Sequence, residues 1–444
     1  MEPTEPQYST ATKLARIAWL SARDPAKKFD GLMHHFNAES MAACFHELDG
    51  RKATGSDRVS KDDYGESLAK NLEVLVERMK KMAYRPGPVR EVRIPKEGKP
   101  GSFRPLGIGN FEDKLVQKMT AKVLESIYEP MFLDCSYGFR PGRGCHDAIR
   151  DLNYHLFSHE VEAVIDVDLA NYFGTIRPGV ADEILREKIG DDRFLRYIQR
   201  LFKAGVLAGG ELTISDEGVP QGSPASPVIA NIVAHHVIDT WFETVVKLHC
   251  RGSVAMFRYC DDLVVCCQYA MDAVRVHKAL GLRLRKYGLQ LNEEKTRLVN
   301  FSKMRQTKGT RQGSFDFLGF TFYLGKSRKG TVIPKLKTSG KRFKSKLKRV
   351  TDWARANRSK VRLPELWAIF RSKLRGHIAY YGVSFNQRRV DSFIRESTNI
   401  VFKWLNRRGG RRKMSWAKFQ LFIKLNPLPA NKTYHKLFTL QTSQ

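Results

Sequence analysis

The chain has 444 residues, enough for two or three domains with sizeable cores, and its 77 Lys and Arg outnumber 46 Asp and Glu for a formal charge of +31. Hydrophobic residues make up 42% of it, which excludes a disordered basic tail, and no apolar run reaches the roughly 18 residues that a membrane span needs. Seven cysteines without a CxxC pair argue against a disulfide framework or zinc ribbon, and the acidic start Met1-Glu-Pro-Thr-Glu5 carries no secretory pattern. The charge sits at one end. Residues 1–300 hold 42 basic and 41 acidic side chains, whereas residues 301–444 hold 35 and five. Such an excess repels itself unless a polyanion neutralises it, so the second segment reads as a helical nucleic-acid-binding domain of an intracellular protein.

In chain order, residues 36–84 have helical periodicity. The second helix opens at Ser60, spaced from Asp63 as in a capping box, and continues through Asn71–Met82. Residues 91–109 alternate around a Gly/Pro/Lys tip and predict a β-hairpin. Residues 111–132 are helical, 136–144 form a basic glycine-rich loop feeding a helix from Cys145, and 162–173 are β-rich. Helices over about 180–203, a short hairpin, the Gly218–Pro227 turn segment and a long helix to about His249 follow. Met256–Cys267 is two apolar β-prone arms around two carboxylates. A helix covers about 271–287, and 289–301 and 315–325 are strand-like. The polar, basic stretch 303–314 is the best linker candidate. From about Ser339 the pattern is helical, broken at Pro364, Gly382, Gly409–Gly410 and Pro427.

Asp261-Asp262 interrupts an otherwise apolar strand pair. Buried carboxylates are costly unless something pairs or neutralises them, and a turn here would display both at a hairpin tip. An ordinary Asp-rich turn is the commoner meaning of a lone Asp-Asp, but the apolar arms favour a site. Asp166 and Asp168, two apart on a strand, share one face. One of them beside Asp261–Asp262 would make a three-carboxylate cluster suited to two Mg²⁺ ions about 3.5–4 Å apart, as in polymerases. Spacing does not choose between Asp166 and Asp168.

Together these segments resemble a known family. Asp168-Leu-Ala-Asn-Tyr172-Phe173, Gly218-Val-Pro-Gln-Gly-Ser-Pro-Ala-Ser-Pro227 and Tyr259-Cys-Asp-Asp262 are similar to core motifs of reverse transcriptases. Arg104-Pro-Leu-Gly-Ile108, Ser136-Tyr-Gly-Phe-Arg-Pro-Gly142, Gly288-Leu-Gln-Leu-Asn-Glu-Glu-Lys295 and Phe317-Leu-Gly-Phe320 narrow the resemblance to the group II intron-encoded type. The motifs keep the family's order over about 50–325, and Leu374-Arg-Gly-His-Ile-Ala-Tyr-Tyr381 resembles the maturase region. The resemblance implies an α+β right-hand polymerase. An N-terminal extension (1–24) precedes fingers with part of the palm (25–160), then the palm with the remaining fingers elements (161–325). A basic α-helical thumb and X domain with a short nucleic-acid-binding tail (326–444) completes it.

The implied activity is RNA-directed DNA synthesis from dNTPs on a DNA or RNA primer, with two Mg²⁺ ions or Mn²⁺ in their place. Group II intron RNA and a DNA target are the further implied partners, for splicing and mobility. Asp168, Asp261 and Asp262 match the catalytic carboxylates and, with Leu169, the metal ligands. Lys96, Arg104, Phe173 and Gln221 match the incoming-nucleotide site, with Phe173 filling the space of a 2′-hydroxyl. Arg140, Lys295, Leu318 and Gly319 fall near template or primer. In the basic segment, Lys341, Lys344, Lys348, Arg371, Arg375, Arg407 and Arg411 are the expected phosphate contacts.

Three positions depart from the family. Cys260 replaces the usual Ala, where a thiol beside the metals would sense oxidation. Gly174 replaces a frequent Asp. Gly55-Ser-Asp57-Arg58 lacks a second glycine, which puts the geometry of the fingertip loop in question. No His or Cys cluster follows Cys267, so no zinc-bearing endonuclease is expected. A splicing-only maturase and a domesticated polymerase of DNA repair or phage defence are the competing readings. The expected setting is a bacterial cytoplasm, at the nucleoid and away from membranes.

Overall fold

The structure is a computed structural model that describes residues 9–95, 101, 103–208, 211–213, 222–408 and 413–438. The strands among the described residues are β1 (Val89–Pro95), β2 (Phe103–Ile108), β3 (Ala163–Asp168), β4 (Val206–Ala208), β5 (Glu211–Thr213), β6 (Val254–Tyr259), β7 (Asp262–Cys267), β8 (Arg297–Asn300), β9 (Ser314–Phe317), β10 (Phe320–Lys326) and β11 (Val332–Thr338). They form three sheets, ordered β2-β1-β4-β5, β6-β7-β3-β8 and β11-β10-β9. Among the described residues no helix is long and apolar enough to cross a membrane.

The β6-β7-β3-β8 sheet is buried on both faces. Alternation along β3 sends Ala163, Ile165 and Val167 to one core, with Leu263, Val265 and Cys267 of β7. That core is shared with the Phe111–Tyr128 helix, largely buried, and with the Ser226–Ala234 and Ala270–Lys286 helices. Val164, Val264, Cys266 and Phe257 face a second core built from Phe315, Phe317, Phe320, Phe322 and Leu336 of the β11-β10-β9 sheet. Asp166 and Asp168 continue this second face as predicted, but at the end of β3, where the apolar cover runs out. A third core lies within the C-terminal helices Gly340–Asn357, Leu363–Tyr381, Gln387–Leu405 and Trp416–Leu425, centred on Trp367, Phe370 and Phe419.

Most predicted elements form, with four informative differences. The helix expected from Ser60 is two, Lys61–Gly65 with the Ser60/Asp63 capping box and Leu68–Lys80. Residues 303–314 are not a plain linker: they hold a short helix, Lys303–Thr307, and a turn before β9, and the second core spans both sides of them through Phe301 and Phe315. Pro364 starts a helix rather than ending one, since its missing N–H is harmless in a first turn. Strand β11 was not apparent, because its alternation, Val332, Pro334, Leu336 inward with Lys335 and Lys337 between, is short and contains a proline. It lies at a sheet edge, where proline is tolerated. The long helix after Ser226 runs to His249 with two wider π-type segments, His235–Asp239 and Phe242–Val246. At the glycine-poor Gly55–Arg58 turn, Arg58 adopts a left-handed φ of +62°, so the loop keeps its turn without the second glycine.

Candidate active site

The antiparallel register places Asp168 of β3 opposite Asp262 of β7, and Asp262 opposite Tyr259 of β6. Opposed residues in an antiparallel ladder point to the same face, so Tyr259, Asp262 and Asp168 form one row across three strands. Only Cys260 and Asp261 lie between β6 and β7. The favoured two-residue hairpin loops have a positive φ at the first residue, alone or together with the second, and Cys260 supplies it with φ +59°. Glycine usually occupies such a position, so this turn is strained and must be held from outside.

Arg258 holds it. Its side chain is completely buried, and all five of its donors are used. Nε donates to Asp239 Oδ1 at 2.7 Å and Nη2 to Asp239 Oδ2 at 2.5 Å; Nη2 also donates to Ser136 Oγ at 2.7 Å. Nη1 donates to Asn231 Oδ1 at 3.0 Å and to the Cys260 carbonyl at 3.2 Å. Burial alone would lower the guanidinium pKa; the Asp239 carboxylate outweighs it and raises it. Gly138 packs beneath the turn so closely that an added Cβ would lie 2.7 Å from Cys260 N. Sequence reasoning missed Arg258 and Asp239. The available signal was a lone arginine in an apolar strand, which requires a buried acid somewhere in the fold.

Four carboxylates converge on this end of the sheet, each with a different partner. Lys295 Nζ lies 2.6 Å from Asp168 Oδ2, and Arg297 Nη2 lies 2.7 Å from Asp166 Oδ2. The Leu318 N–H donates to Asp262 Oδ2 at 3.3 Å. Burial raises the pKa of Asp261, with Asp168 adding to the rise and Arg104 of β2 opposing it. Burial pushes Asp262 up to about 7; Asp261, Asp166 and Asp168 add to this, and the Leu318 N–H opposes it. The site therefore carries more negative charge than its own cations relieve. Cys260 is 2% exposed, and burial pushes its thiol up to about 12, so the expectation of an oxidation sensor fails for want of thiolate.

The other predicted site residues divide clearly. Leu169 is buried behind Asp168, and Phe173 is half-buried, its ring 5.8 Å from that of Tyr172. Lys96, Gln221 and Arg411 lie outside the described residues. Leu318 and Gly319 form the β9–β10 turn, both left-handed (φ +48° and +82°), and Tyr380 Oη donates to the Leu318 carbonyl at 2.8 Å. Arg140 is a correction. Its side chain is 6% exposed and donates to Glu129 and to the Leu133 and Ser136 carbonyls, so it staples its own loop and presents nothing to a phosphate. Lys295 is half-exposed but spent on Asp168. Lys341, Lys344 and Lys348 point to solvent along one stripe of the Gly340–Asn357 helix, while Lys346 turns inward over the Tyr381 ring at 4.9 Å. Arg375 is exposed, Arg371 is half-buried, and Arg407 stacks on Trp404 at 5.0 Å.

Residues 94–322, just over half of the chain, match the family described as Reverse transcriptase (RNA-dependent DNA polymerase). The chain belongs to the reverse transcriptase family. Protein YkfC of Escherichia coli (strain K12) is 29% identical to it over 352 residues, covering 71% of this chain and 89% of that protein. Group II intron-encoded protein LtrA of Lactococcus lactis subsp. cremoris is 33% identical over 177 residues, 40% of this chain and 29% of that protein. A 91 kDa protein in cob intron of Schizosaccharomyces pombe is 32% identical over 223 residues, 50% and 26%. The chain thus spans under a third of the intron-encoded relatives it matches here. With the motifs above, these relatives place it among reverse transcriptases of the group II intron type.

Reverse transcriptases generally use divalent metal ions. Among the described residues no three His, Cys, Asp or Glu side chains are gathered tightly enough to hold a metal as they stand; Asp168 pairs with Lys295, and Asp262 accepts from the Leu318 N–H. Their chemistry fits nonetheless: hard carboxylate oxygens with excess charge suit Mg²⁺. Asp239→Ala tests the scaffold of this reverse transcriptase. It leaves a buried, charged Arg258 without its acid, and is expected to cost about 3–5 kcal/mol of stability, read from the unfolding midpoint.

Proposed function

We propose that the chain copies RNA into DNA at the Asp168/Asp261/Asp262 end of the central sheet. The observation that carries this reading is the cross-strand row of Asp168 and Asp262 with Asp261 in the adjoining turn, in a chain of the reverse transcriptase family. The side chains of Asp168, Asp261 and Asp262, with the Leu169 carbonyl, would hold two Mg²⁺ ions, Mn²⁺ being an alternative. When bound, such ions neutralise charge on the attacking and leaving oxygens of an in-line displacement.

The chain's own groups have separate tasks in this reading. Lys295 neutralises Asp168 until a stronger cation competes for it, and the Leu318 N–H orients Asp262. Arg104 brings a positive charge from β2 toward Asp261, at the place where a triphosphate would need one. Lys96 and Gln221 are assigned to the same nucleotide by resemblance. Phe173, next to the buried Tyr172, fills the space of a 2′-hydroxyl. The β2-β1-β4-β5 sheet and the N-terminal helices are assigned as fingers, the central sheet as palm, and the four C-terminal helices as thumb and X domain. That basic bundle would grip template–primer and, by analogy with the intron-encoded relatives, a structured intron RNA whose splicing it assists. A splicing-only role is the weaker reading, since three clustered carboxylates are costly to keep without chemistry.

Changing Asp261 and Asp262 together to Ala is expected to abolish primer extension with Mg²⁺ while RNA affinity stays nearly intact. cDNA synthesis by the purified double variant would overturn the assignment. Phe173→Ala is expected to admit ribonucleotides, measured as single-nucleotide addition with dNTP and NTP in parallel; unchanged discrimination would make Phe173 ordinary core.

Binding should also weaken steeply with salt, each phosphate contact adding about −0.7 to −0.9 to the slope of log K against log salt. Neutralising Lys341, Lys344 and Lys348 together is expected to flatten that slope by roughly two to three units. The neighbouring Arg342, Lys346 and Arg349 should contribute less, because Lys346 is already engaged with Tyr381. Equal, small effects from both triplets would move the grip to Arg371–Arg375 or Arg407–Lys413.

A further inference from the structure

Phe139 is 52% exposed beside the carboxylate row. A single exposed aromatic means little by itself. What distinguishes Phe139 is the machinery that displays it. Its φ is +57°, a conformation that a bulky residue keeps only where its surroundings enforce it. On one side Gly138 is wedged under the Tyr259–Cys260 backbone, and its carbonyl accepts from Asn231 Nδ2 at 2.6 Å. On the other side the buried Arg140 fastens the loop to Glu129 and to two carbonyls. Between these anchors the Phe139 ring faces solvent, its centroid 6.3 Å from that of Tyr259.

Tyr259 stands opposite Asp262, and Asp262 opposite Asp168. One face therefore runs from Phe139 through Tyr259 to the carboxylates. The nucleotide-binding residues proposed above belong elsewhere: Phe173 follows β3, beyond Asp168, and Arg104 approaches Asp261 from β2. The two aromatic rings are left at the opposite end of the row, with no cation assigned to them.

We propose that Phe139, together with Tyr259, is the platform on which the 3′-terminal nucleotides of the primer rest, so that Phe139 is a primer-positioning residue. The rings would pack on sugar and base by their apolar faces, a contact that accepts any base. This inference rests on the polymerase reading and assigns which strand end lies on the aromatic side of the carboxylates.

The test uses the full-length chain and a primer–template with 2-aminopurine at the primer 3′ end. Without dNTP, the wild-type chain should change 2-aminopurine fluorescence on binding, and Phe139→Ala should lose most of that change. In steady-state extension, Phe139→Ala should raise KM for primer–template by about 5- to 10-fold, the loss expected for one stacking contact, while KM for dNTP stays within about twofold. Phe139→Tyr should restore both readouts. Phe139→Leu keeps the apolar bulk, so it serves if the alanine variant fails to fold, and should lose the fluorescence change. An unaltered primer KM and fluorescence signal in Phe139→Ala or Phe139→Leu, or a rise in dNTP KM instead, would overturn the assignment. If the wild-type chain itself extends no primer, it is the polymerase reading that fails.

Discussion

The geometry of the candidate site depends on one buried ion pair. Arg258 and Asp239 are wholly removed from water, and such pairs seldom add net stability, because desolvation takes back most of the Coulombic gain. What this pair provides is position. The guanidinium has a fixed fork, and its five bonds fasten β6 to the long helix through Asp239 and Asn231, to the Ser136–Gly142 loop through Ser136, and to the Cys260–Asp261 turn through the Cys260 carbonyl. Asn231 then extends the same network to Gly138. Moving any one of these segments would strand a buried donor, so the loop, the helix and the turn can only be placed together. Asp239 closes the π-type segment His235–Asp239, and such segments are commonly associated with functional sites.

That framework supports a concentration of strain. Of the non-glycine residues with left-handed φ among the described residues, Phe139, Asn171, Cys260 and Leu318 all belong to segments bordering the carboxylates. Each places a side chain or a backbone group where a relaxed loop would not. Cys260 makes the turn that carries Asp261, Leu318 turns an N–H toward Asp262, and Asn171 caps the short Tyr172–Thr175 helix that follows the Asp168 strand. The electrostatics follow the same logic. Asp166 and Asp168 each have a cation, whereas Asp261 is raised by burial and by Asp168, and Asp262 by burial and by its three carboxylate neighbours.

Much of this was legible in the sequence because the signals are local. Two apolar arms around Asp261-Asp262, the Asp166/Asp168 alternation, and the hairpin around residues 95–103 each declare themselves within a dozen residues. The Ser60 capping box held, although the helix after it broke at Glu66–Ser67. What could not be read depends on partners far apart in the chain. Arg140 looks like any basic loop residue until Glu129 and the Leu133 carbonyl surround it. Arg258 looks out of place until Asp239 is brought beside it. The resemblance places Lys295 near template or primer, and 127 residues separate it from the acid it meets. The charge boundary near residue 301 suggests a linker at 303–314, but hydrophobic packing ignores charge, and the second core holds residues on both sides of it.

Leu318 carries an implication for how the molecule divides. Its N–H reaches Asp262 in the central sheet, while its carbonyl is held by Tyr380 in the second of the C-terminal helices. Its left-handed backbone is thus pinned from two sides, by two regions that look separable on a diagram of the chain. The proton affinity of Asp262 is set partly by that N–H, and the N–H is kept in place partly by Tyr380. The C-terminal bundle therefore bears directly on the carboxylate site. A fragment cut after β10 would not be a weaker-binding copy of the same catalyst, but a chemically different site with one of its acids retuned.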